Sequence, residues 1–152
     1  MTTDRDEPQA TAARADDFRR LTAQFEEKAA MARAEARVAA EEQRSHQVAG
    51  LIGTHVSEDQ WRSLVARARN AASQGQKEFL LLRFPSQLCS DGGRAINVPE
   101  SNWPTTLRGE AAELYLCWEK SLKPQGFHLI ARVLDFPDGK PGDIGLSISW
   151  GT

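Results

Sequence analysis

Apolar and polar positions alternate most cleanly near the end of the chain, where Ile144, Leu146, Ile148 and Trp150 are interleaved with Gly145, Ser147 and Ser149. A period of two predicts a strand with one face toward a core. Upstream, residues 127–136 (FHLIARVLDF) read as another strand, joined to the last by the turn-rich PDGKPGD. Residues 77–84 (KEFLLLRF) are apolar at both alternating sets, Phe79 with Leu81 and Leu80 with Leu82 and Phe84. Such a run predicts a central strand covered on both sides, and Pro85 ends it.

Helical periods fill the gaps. Ser57-Glu58-Asp59-Gln60 forms a capping box, after which Trp61, Leu64, Val65, Ala68 and Ala72 recur at helical spacing until Gly75. A second helix is predicted over 106–123, with Leu107, Ala111, Leu114, Tyr115, Trp118 and Leu122 on one stripe and Pro124 and Gly126 closing it. A helix between the first two strands permits a parallel crossover, and the last two strands form an antiparallel hairpin. The expected fold is α+β: a small mixed three-stranded sheet with packed helices.

Before Gly50 the pattern changes. Residues 11–49 are rich in Ala, Arg, Glu and Gln and contain neither Gly nor Pro, which predicts one long, mostly exposed helix. Asp16 and Asp17 suit its positive end, and opposite charges four apart, such as Arg37 and Glu41, support a solvated surface. Its large apolar residues fall into two clusters, Phe18, Leu21 and Phe25, then Met31 and Val38. The clusters lie in different heptad phases, so the helix either pairs weakly with a copy of itself or stands alone. Residues 1–10 read as a disordered tail, and residues 50–152 as the folded domain.

Composition narrows the function classes. With 152 residues and a net charge of -2, the chain has no basic field, and the folded part carries eleven basic and eleven acidic side chains. Nucleic acid is therefore a poor partner. No apolar run is long enough for a membrane span, and the polar start MTTDRDEPQA does not resemble a signal peptide. Cys89 and Cys117 match no redox or metal spacing, which points to free thiols in the cytoplasm. The Ala/Arg-rich usage is the sole hint of a bacterial origin.

Candidate chemistry concentrates between Ser86 and Asn97. There CSDGGR sets Asp91, Gly92, Gly93 and Arg94 as possible ligand-binding or anion-binding groups, with backbone amides and a guanidinium. Cys89 is a weak candidate nucleophile, needing a base such as His128. The simpler reading is an Asp-Gly-Gly turn beside a buried cysteine. The long stretch from Pro85 to Thr105 lacks a regular pattern, but Leu88, Ile96, Val98 and Trp103 would pack it down. Asp135, Asp138 and Asp143 do not fit a calcium loop, and His46, His55 and His128 are scattered, so no metal and no cofactor are expected.

The expectation is a non-enzymatic, cytoplasmic interaction or regulatory protein that self-associates or docks a partner. The contact would run through residues 11–49, or through strand 144–150 with its small-residue face if that strand is an undefended edge. The alternative is a small-molecule or anion-binding domain, with enzymatic activity or without, using the loop between Ser86 and Asn97.

Overall fold

The computed structural model describes residues 12–151. The expected tail at residues 1–10 lies outside them. Two compact units are present, Met1–Glu42 and Gln43–Thr152. One helix, α1 (Ala15–Gly53), supplies the described first unit and runs into the second. It continues past the expected stop at Ala49, and the Thr54 hydroxyl closes it by donating to the Gly50 carbonyl at 2.6 Å.

The folded unit continues with α2 (Glu58–Ser73), β1 (Glu78–Pro85), a short α3 (Arg94–Asn97), α4 (Gly109–Ser121), β2 (His128–Val133) and β3 (Asp143–Ser149). The α2 capping box forms as its sequence implies: the Gln60 amide donates to Ser57 Oγ at 3.1 Å, and the Ser57 amide to Gln60 Oε1 at 3.0 Å. The fold class is α+β, but the sheet corrects the expected strand order. Its order is β1-β3-β2, and both pairings are antiparallel, so the sheet is not mixed. Strands β1 and β2 do run the same way, as the helical crossover requires, but β3 inserts between them.

The insertion follows from burial. Ile144, Leu146 and Ile148 are almost wholly buried, and Gly145 and Ser147 on the opposite face are buried too. β3 therefore has both edges paired and both faces covered, which removes it as an edge available for sheet extension. β1, expected in the centre, is an edge. A bulge between Leu80 and Leu82 explains its doubled apolar pattern. The extra residue, Leu81, breaks the alternation, so that Phe79, Leu81, Leu82 and Phe84 all pack on the core. Leu80 alone is left outward, 46% exposed.

The inner face presents three cross-strand rows, Phe84–Ile144–Val133, Leu82–Leu146–Ala131 and Phe79–Ile148–Leu129. Ala68 of α2, Ala111 and Leu114 of α4, and Leu88, Cys89 and Ile96 from the connection after β1 complete the core. On the outer face, Arg132 of β2 reaches over the central strand to Glu78 of β1, with two contacts of 2.8 Å. Small residues on β3 make this possible. A Cβ on Gly145 would lie 3.1 Å from both Leu80 and Leu134, and Ser147 is only 6% exposed. The small-residue stripe is thus filled by the protein's own side chains.

Candidate functional site

The connection from Pro85 to Thr105 is not structureless. It is built of a tight turn at Ser86–Leu88, the helix α3 and another turn at Trp103–Thr106. Arg108, which sequence reasoning passed over, holds it to the start of α4. Its Nε donates to the Leu88 carbonyl at 2.8 Å and its Nη2 to the Gln87 carbonyl at 2.6 Å. The Ser90 amide adds a bond to the Thr106 carbonyl at 2.8 Å. Only the basic character of Arg108 hinted at this; which carbonyls it would find depends on the fold.

Within this frame Gly92 and Gly93 both have positive φ, 70° and 87°. Gly93 is also pressed against the core, since a Cβ there would stand 2.9 Å from Ile144 Cδ1 and 3.3 Å from Ser86 Cβ. Only glycine meets both demands. The backbone amides that the sequence offered to an external anion are met by the chain's own Asp91. Its Oδ1 accepts from the Gly93 amide at 3.0 Å and its Oδ2 from the Ala95 amide at 2.9 Å. Arg94 is exposed and forms no ion pair among the described residues.

Cys89 is 2% exposed and belongs to the apolar core. Burial pushes its thiol up to about 11, with the Asp91 carboxylate adding to the shift and a Thr106 hydrogen bond opposing it. A thiol so held is almost entirely protonated at neutral pH, the opposite of what a nucleophile needs. His128 stands on the outer face of β2 beside Ile130 and Arg132, as strand parity implied, and so on the other side of the sheet from the core containing Cys89. Asp91 is engaged by the two amides. The three residues form no relay.

The acidic connection between β2 and β3 is likewise committed to the fold. Asp135 Oδ1 accepts from the Asp143 amide at 2.6 Å, and Arg83 bonds Asp143 at 2.8 Å with Asp135 4.0 Å away. Among the described residues there is no cluster of three metal-ligating side chains. A shallow cleft of about 400 Å³ lies between α2 and the end of α4, floored by Trp61, Val65 and Leu122 and edged by Arg62 and Arg69. Arg62 is drawn toward Glu58 and Asp59 at 3.4 and 3.8 Å, and the cleft's remaining polar lining is Arg69 and Ser121.

The first unit has the opposite character. No residue of α1 is buried, yet Phe18, Leu21, Phe25, Met31 and Val38 are each more than half exposed. Asp16 with Arg19, at 2.8 Å, is the one ion pair among its described residues. No helix among the described residues is long and apolar enough to cross a membrane. In comparisons with family models, curated proteins and solved structures, no match to this chain is found.

Proposed function

We propose that this chain is a non-enzymatic interaction protein of the cytoplasm whose docking element is the stretch of α1 within the first unit. One observation carries the reading: five large apolar side chains lie exposed on a helix that buries none of its residues. Phe18, Leu21 and Phe25, at i, i+3 and i+7, share one face of the helix, and a contiguous exposed apolar face supports a contact surface. The free thiols of Cys89 and Cys117 support the cytoplasmic assignment. The loop between Ser86 and Asn97 supports the alternative less, because its amides are taken by Asp91 and its thiol is buried and neutral.

The test is the double variant L21E/F25E in the full-length chain, followed by sedimentation velocity and thermal unfolding. The expected result is loss of concentration-dependent association, with the stability of the folded unit changed by less than about 0.5 kcal/mol, as for exposed sites remote from the core. Association that survives would place the interface elsewhere. A stability loss above about 1 kcal/mol would make these side chains structural. Either result defeats the reading.

A further inference from the structure

We infer that the occupant of this helix is a second copy of the same helix, packed antiparallel through a seam of alanines. The inference rests on the reading of α1 as the docking element and specifies its partner.

The seam becomes visible once small residues are counted with large ones. Phe18, Thr22, Phe25, Ala29, Ala32, Ala36 and Ala39 follow one another at alternating steps of four and three along the helix within the first unit. These are the a and d positions of a heptad repeat, and none carries a charge. Alanine there lets two helix backbones approach closely.

Shape and charge both select the antiparallel orientation. With Ala29 facing Ala32 of the second copy at the centre, Phe25 faces Ala36 and Thr22 faces Ala39, so the larger residue meets an alanine at those layers. A parallel pair would instead stack Phe25 on Phe25 at one end and alanine on alanine along the rest, which the same interhelical distance cannot fill.

The residues beside the seam agree. Glu26 and Arg33 flank it on one side, Lys28 and Glu35 on the other. In the antiparallel register Glu26 lies nearest Arg33 of the second copy, and Lys28 nearest Glu35, and symmetry repeats both pairs. In a parallel pair Lys28 would meet Arg33, charge against like charge. None of these four residues has an opposite charge three or four positions away in its own helix, and none forms an ion pair among the described residues. Their complements within the chain are seven positions off, too far to touch.

The test is sedimentation equilibrium of the full-length wild type, R33E and E26R/R33E, with helicity checked by circular dichroism. An alanine seam predicts a modest dimer, formed below about 100 µM. R33E turns two attractive contacts into two repulsions and should weaken the dimer about tenfold, and E26R on top should restore it. The weakening cannot come from helix loss, because Glu at position 33 gains Arg37 as a partner four residues on.

Tightening by R33E would reveal a parallel pair and overturn the proposal. So would a dimer indifferent to both variants, although one still abolished by L21E/F25E would leave the docking helix standing. A wild type monomeric throughout would exclude the second copy as occupant.

Discussion

The two units use apolar side chains in opposite ways. In the folded unit the sheet buries Phe84, Ile144, Leu146 and Ile148 almost completely, whereas in the first unit Phe18, Leu21 and Phe25 each stay more than half exposed. The difference lies in what surrounds them. The apolar rows of the sheet share one core with residues of α2, α4 and the connection after β1, while among the described residues of the first unit no other element covers the exposed apolar side chains of α1. Apolar content alone therefore does not tell a core from an interface; what covers it does.

The sharpest way to break this contrast is a pair of truncations. Leu146→Ala should destabilise the folded unit by about 2–5 kcal/mol, because it empties the centre of the inner face. Phe25→Ala, although it removes a larger group, should cost less than about 0.5 kcal/mol in the same unfolding transition. Equal losses in denaturant titrations would erase the distinction. Next comes Gly93→Ala, which imposes positive φ on a side chain and crowds Ile144; a loss of about 1–3 kcal/mol is expected from chemical unfolding.

Asp91→Ala removes the acceptor for two amides and should cost about 1–2 kcal/mol. It should also free these amides for sulfate or phosphate, read as a melting shift larger than the general salt stabilisation of the wild type. The smallest effect is that of pH on the outer face. Hydrogen bonding to Arg132 holds the Glu78 carboxyl below its ordinary value of 4.5. The stabilisation is present above that value and disappears as pH falls through the depressed pKa. Both side chains are over a third exposed, so Glu78→Gln should flatten the acid limb of stability by no more than about 0.5 kcal/mol.

What could be read from the residues depended on how far apart the deciding groups were. The Ser57–Gln60 box, the placement of His128 with Ile130 and Arg132, and the α+β class rest on neighbours within one element, and all are visible in sequence. The order of the strands is not, because nothing local records that Ile144 will face both Phe84 and Val133. The bulge at Leu81 was hidden for a related reason: strict alternation assigns Leu81 and Phe84 to opposite faces, and only the shared core shows that both turn inward. In the loop, Asp91-Gly92-Gly93 announced a turn and a set of amides at once. That the aspartate fills the amides itself is a matter of backbone angles. The alanines at heptad spacing between Ala29 and Ala39 stand out less than the large apolar residues, and Met31 and Val38 lie off their line.

The Asp91 contact also sets the terms of competition at that loop. The carboxylate is attached two residues from the Gly93 amide it occupies, so any free anion must displace a tethered rival. Even a short flexible tether confers an effective concentration in the millimolar range. Dissolved phosphates at millimolar levels therefore compete at best on equal terms with a group the chain carries itself. The geometry of the loop is thus set by a group of its own, and its amides do not wait on an ion from outside.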